Sequence, residues 1–230
     1  MRKRLPVEEK VKRERRRQAL GTAALCECDI AHDNRESPEI TYINENYVNS
    51  FTEKLHPKGT GLFLFGFTGS GKTWLAASIV NELTDRGLRC KYTSMLKIVT
   101  DLNNLKSESR DHYLSQLWKV DLLVLDDFGM EAENNSSTNI LNLIVSNCRE
   151  RRVPIIVVTP YPEDQLTKDN SSNKRVHALK HLKERCLTVT LPLPGSRCAA
   201  SYKQKTETEA IIKKGLPVPG KQQRLPFGDR

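Results

Sequence analysis

Nowhere in the 230 residues does an apolar run approach the ~18 residues that a membrane-spanning helix needs. Mean hydropathy is −0.55, so the chain is expected to be soluble, with no membrane partner. The basic start MRKRLPVEEKVKRERRR has no apolar segment behind it of the kind an export signal requires, and a cytoplasmic location is expected. Cysteine is scattered. Of Cys26, Cys28, Cys90, Cys148, Cys186 and Cys198 only the first two lie close together, without the second close pair a zinc site needs. Free thiols in a reducing compartment are the expectation. Histidine gives no metal signature either: His177 and His181 are one helical turn apart, without the carboxylate or third ligand of an HExxH site.

Charge, by contrast, is plentiful and uneven. Residues 1–17 carry a net +6 and residues 201–230 a net +4 of the total +9, so the residues between them carry −1. Basic ends of this kind suit contact with nucleic acid phosphates, and they equally suit solvated tails that aid solubility. The length allows one sizeable core with extensions. The chain is expected to divide into a basic, partly helical or disordered extension over 1–45, a folded domain over 46–200 and a mostly disordered basic tail over 201–230.

Within the middle, apolar runs alternate with helical patterns. A helix is predicted over Asn46–Leu55, then a strand over Leu62–Phe65, a helix over Lys72–Leu83 and a strand over Cys90–Thr93. Helices near Met95–Leu102 and His112–Leu117 precede a strand at Leu122–Leu125. A helix over Thr138–Glu150, a strand at Ile155–Val158, a helix ending near Arg185 and a strand at Leu187–Leu191 complete the series. The fold class predicted is α/β, a parallel sheet covered by helices on both faces.

Two motifs carry chemistry. GFTGSGKT, comprising Gly66, Phe67, Thr68, Gly69, Ser70, Gly71, Lys72 and Thr73, fits G-x-x-x-x-G-K-[ST] between a predicted strand and a predicted helix. Glycines let such a loop turn its backbone N–H groups toward phosphate oxygens, and the following helix directs its positive end at the same anion. Lys72 is then placed to reach the β- and γ-phosphates of ATP, and Thr73 to put its hydroxyl on Mg2+. The second motif, DLLVLDD, is an apolar strand ending in Asp126 and Asp127. Asp126 at the tip suits the Mg2+ shell, whereas Asp127, on the other side of the strand, suits the orientation or deprotonation of an attacking water. The strand Cys90–Thr93 falls between the two motifs in the chain, which suggests the P-loop class in which an extra strand separates them.

Through GLFLFGFTGSGKTWLAASIVNEL, DLLVLDDFG and LTVTLPLPGSR, the sequence from about Tyr47 to Arg197 resembles the AAA+ ATPases of the DnaC/DnaI helicase-loader type and their IstB-like transposition relatives. The resemblance implies an AAA+ P-loop core and Mg2+-dependent ATP hydrolysis, slow or stimulated by a partner. It also implies an ATP-dependent homo-oligomer, a replicative helicase as partner and contact with single-stranded DNA. Arg197 then matches the arginine that contacts the γ-phosphate from within the subunit. Two departures stand out. Thr159 occupies the place where the loaders' Thr-Ser-Asn orients the water, and His177 and His181 stand where the family has an R-x-x-x-R pattern. Arg175, Lys180 or a partner's residue is left to supply the arginine finger. Fewer than about fifty residues precede the core, and no room for a full helical lid follows Arg197. Alternatives left open by the residues are a transposition helper, a nucleotide-gated adaptor without turnover and, less well matched, a metabolic P-loop kinase.

Overall fold

Residues 7–30, 38–131, 134–161 and 173–191 are described by a computed structural model. Among these residues five strands form one sheet: β1 (Gly61–Phe65), β2 (Cys90–Ser94), β3 (Leu122–Asp126), β4 (Ile155–Thr159) and β5 (Cys186–Thr190). Every pairing is parallel and the spatial order is β2-β3-β4-β1-β5. The runs LLVLD and IIVVT are buried at every position, as interior strands of a covered parallel sheet must be. The edge strands β2 and β5 carry the polar residues and are partly exposed.

Among the described residues, seven α-helices cover the two faces: α1 (Val7–Leu20), α2 (Pro38–Ser50), α3 (Lys72–Asp85), α4 (Met95–Asn104), α5 (Ser107–Leu117), α6 (Asn135–Glu150) and α7 (Asn173–Arg185). Because side chains alternate along a strand, Leu62, Leu64, Leu122, Val124, Ile156 and Val158 form one core with α1, α2 and α3. Phe63, Leu123, Leu125 and Val157 form the other with α4 to α7. Local chemistry sets the helix starts. The Ser94 hydroxyl accepts the Lys97 N–H at 3.2 Å to begin α4. Asn134 and Ser137 exchange reciprocal hydrogen bonds to begin α6, three residues before the predicted start at Thr138. The helix predicted over Asn46–Leu55 starts earlier, at Pro38, and passes into a π-helical turn over Phe51–Leu55.

The strand that separates β1 from β3 in space is β4. The strand between the two motifs in the chain, β2, lies instead at the sheet's edge. Chain order and sheet order differ because each parallel crossover passes over a helix-covered face.

The basic first helix is part of the folded unit. Its Ala19 and Leu20 are buried in the first core, and Arg16 is only 7% exposed. The expected boundary after residue 45 falls inside α2, whose Ile40, Tyr47 and Val48 join the same core. Between the two helices, Asn81 of α3 donates to the carbonyls of Leu25 (2.8 Å) and Cys28 (2.7 Å) and holds the connecting turn down. Among the described residues no helix is long and apolar enough to cross a membrane. The expected C-terminal tail and the question of a lid after Arg197 lie outside the described residues.

Candidate functional site

The phosphate-loop sequence runs from the end of β1 to the start of α3, as its context in the chain requires. Gly66 (φ 149°), Gly69 (φ 85°) and Gly71 (φ 90°) all adopt positive φ. At Gly66 space is closed as well: a Cβ there would sit 2.8 Å from the Leu191 carbonyl oxygen and 3.1 Å from Ser70 Oγ. This is a cradle that only glycine allows, with Leu191 following β5 and its N–H donating to the Phe65 carbonyl at 2.9 Å.

Lys72, the first residue of α3, is 7% exposed and folds back along the loop. Its ammonium donates to the carbonyls of Gly66 (2.8 Å) and Phe67 (2.9 Å). Burial pulls its pKa below the usual lysine value, opposed by the negative charges of Asp126 and Asp127. The cation and the two carboxylates therefore belong to one electrostatic site.

Asp126 closes β3 and is 7% exposed. Its Oδ1 accepts the Asp127 N–H at 2.8 Å, and its Oδ2 accepts the Tyr92 hydroxyl in a short hydrogen bond. Burial raises the Asp126 pKa, and the Tyr92 and Asp127 donors and Thr73 act against that rise. Tyr92 is raised well above the ordinary phenol value, by burial first and by Asp126 second, with Thr73 acting in the opposite direction. Thr73 is thus beside both groups. Asp127 is exposed and takes a left-handed backbone (φ 51°), which turns it away from the direction of the strand. The Phe128 N–H then donates to the Val158 carbonyl at 2.8 Å and ties the turn to β4.

Thr159, at the tip of β4, is fully buried and pairs in register with Phe65, the last residue before the phosphate loop. Its Oγ1 accepts the Tyr161 N–H at 3.2 Å, so the hydroxyl oxygen is engaged in the turn that follows. The chain thus gathers Gly66 to Thr73, Asp126, Asp127 and Thr159 at the C-terminal ends of three adjacent strands. Asp126 and Thr73 offer hard oxygen donors that fit Mg2+. The loop's glycines and Lys72 fit a polyphosphate.

Other residues singled out in the sequence lie elsewhere or outside the described residues. His177 and His181 on α7 stack edge to face with ring centroids 4.3 Å apart, and Arg149 of α6 lies 3.2 Å from His181 Nδ1. His181 lines a small cavity with Gly59, Ile155 and Cys186, at the start of the strands and so at the end of the sheet opposite the phosphate loop. Lys180 is exposed on the same helix. Arg197 and the side chain of Arg175 lie outside the described residues. One residue of the site was missed in the sequence. Tyr92 was visible only as an aromatic in a short strand, and its position two residues before the end of β2 was the available signal.

Comparison with known proteins agrees with this geometry. The family model described as IstB-like ATP binding protein matches residues 4–167. The replicative helicase loader DnaI of Bacillus subtilis is 23% identical over 204 residues, covering 82% of this chain and 64% of the loader. An insertion sequence ATP-binding protein of Sinorhizobium fredii is 33% identical over 108 residues, 46% of this chain and 36% of that protein. The chain therefore spans less than two thirds of the length of these relatives. A crystal structure of DnaI superposes with a TM-score of 0.63 at 20% identity, covering 74% of this chain and 94% of that one, a likeness of fold.

Proposed function

The chain belongs to the IstB-like ATP-binding family, and from that premise we propose that it is an Mg2+-dependent ATPase that helps to place a replicative helicase on DNA. The convergence of Lys72, Thr73 and Asp126 at one end of the sheet supports the nucleotide chemistry. In this reading the loop N–H groups, the α3 N-terminus and Lys72 bind the phosphates. Lys72 exchanges its hold on the Gly66 and Phe67 carbonyls for phosphate oxygens. Thr73 and Asp126 hold Mg2+, which neutralises the charge on the phosphates when bound. Asp127, exposed beside them, orients the attacking water, with Thr159 behind it at the tip of β4. Arg197 contacts the γ-phosphate, and a neighbouring copy or partner completes the site in an ATP-dependent oligomer.

Similarity to DnaI along 82% of the chain supports the loader role, and with it a cytoplasmic location. The exposed basic residues of α1, Arg13, Arg15 and Arg17, are suited to single-stranded DNA or to the helicase itself. A second reading, an assistant to a transposase, has its own support in the IstB-like family match and in the 33% identity to the insertion sequence protein over 108 residues.

The deciding experiment measures ATP turnover by the purified chain with and without single-stranded DNA, with Asp127→Asn as the blank. Turnover that DNA stimulates and the variant loses is the expected result. ATP binding without turnover under all conditions would overturn the hydrolytic part and leave a nucleotide-gated adaptor. Deposition of a replicative helicase on single-stranded DNA, compared with capture of target DNA by a transposase, separates the two partners.

A further inference from the structure

The position of Tyr92 is unusual for a core aromatic. Its ring packs with Leu122, Val124 and the first core, where an apolar side chain alone would serve. Yet it carries a hydroxyl into a place that is 8% exposed, and a buried hydroxyl costs free energy unless it is hydrogen-bonded. Strand register determines the partner. Tyr92 lies opposite Val124 and Ser94 opposite Asp126, so Tyr92 and Asp126 point to the same face of the sheet one diagonal step apart. That step is within reach of a tyrosine, and the hydroxyl donates to Asp126 Oδ2.

The other oxygen, Oδ1, accepts the Asp127 N–H at 2.8 Å. Each carboxylate oxygen thus has a donor, with Thr73 beside the group as well, and the two donors fix the plane of the carboxylate. Without the Tyr92 hydroxyl the carboxylate would lose its donor at Oδ2 and would be freer to rotate about its last side-chain bond.

We propose that Tyr92 is a positioning residue for the divalent cation that accompanies the nucleotide, acting by fixing the orientation of the Asp126 carboxylate beside Thr73. The inference rests on the nucleotide reading given above and adds to it a residue outside both sequence motifs. Groups that hold a metal ligand in place typically change metal affinity by about 10- to 100-fold when removed.

The test compares binding of a fluorescent ATP derivative in excess MgCl2 with binding in EDTA, and takes the ratio of the two affinities. Tyr92→Phe keeps the ring and its packing, so the fold is retained, which a melting curve verifies. The ratio is expected to fall about tenfold in this variant. Because Tyr92 acts through Asp126, adding Tyr92→Phe to Asp126→Asn is expected to change the ratio by less than about twofold. A ratio unchanged in Tyr92→Phe, or an equal fall in the Asp126→Asn background, would overturn the proposal. Failure of the wild-type chain to bind the nucleotide at all would overturn both this inference and the nucleotide reading. Normal wild-type binding with an indifferent Tyr92→Phe overturns this inference alone.

Discussion

Replacing Arg16 with methionine is expected to destabilise the protein by about 3 kcal/mol, although the residue lies in a segment that reads as solvated charge. The guanidinium makes four hydrogen bonds: to Asp85 Oδ1 at 3.1 Å, Asp85 Oδ2 at 2.5 Å, Asp29 Oδ2 at 2.8 Å and the Cys26 carbonyl at 2.9 Å. Its side chain is 9% exposed, that of Asp29 8% and that of Asp85 16%. Removing one partner from a buried ion pair costs about 3–5 kcal/mol, because the remaining charge loses its compensation in a poorly solvated place. Lys12 stays 2.9 Å from Asp85 and covers part of that loss, but it is half exposed, and exposed pairs contribute only about 0–1 kcal/mol. The lower end of the range therefore applies. For a domain of about 150–250 residues each kcal/mol moves the melting point by about 2–4 °C, so a fall of about 6–12 °C is expected. Thermal and urea denaturation followed by circular dichroism read it directly. Adding Asp29→Asn to the variant is expected to recover part of the loss by removing an uncompensated carboxylate. A melting point lowered by less than about 2 °C would refute the docking of α1 on α3.

Other expectations follow from the same geometry. Lys72→Ala is expected to lower ATP affinity by about 10- to 100-fold, the value of a charge-assisted hydrogen bond or two, as measured by titration calorimetry; unaltered affinity would remove the phosphate loop from the site. Gly66→Ala forces a positive φ on a Cβ that meets the Leu191 carbonyl at 2.8 Å. A loss of about 1–3 kcal/mol in urea denaturation is expected, and none would mean that the loop shifts freely. Burial pushes the thiols of Cys90, Cys148 and Cys186 up to about 12. At pH 8 about one in 10,000 of each would be thiolate, so alkylation followed by mass spectrometry should label half-buried Cys28 well before these three until urea is added. Reversing the charge of Arg13, Arg15 and Arg17 together, with Arg16 kept, is expected to weaken single-stranded DNA binding and flatten its salt dependence at little cost in melting point. An unchanged salt slope would leave these arginines as solubilising charge.

Local pattern carried most of the site. GFTGSGKT and DLLVLDD were legible because each function needs particular residue types at fixed spacing, and because the flanking apolar runs declare strands and helices with little ambiguity. What was not legible depends on which elements become neighbours. Chain order puts β2 between the two motifs, yet β4 separates them in the sheet. Nothing local in CKYTS states that its tyrosine will meet Asp126, since that contact exists only once β2 and β3 are in register. The same holds for Arg16. In MRKRLPVEEKVKRERRR it has eight Lys/Arg neighbours of the same charge, and only the distant carboxylates Asp29 and Asp85 distinguish it from them. His177 and His181 were matched by spacing to the family's R-x-x-x-R pattern, and what the fold adds is their surroundings: His181 lies with Arg149 at the end of the sheet opposite the phosphate loop. Side chains that act through their own backbone neighbourhood can be read in one dimension. Those that act across strands or helices, Tyr92 and Arg16 here, need the register and packing first, and for that reason the residues most informative to mutate lie outside both motifs.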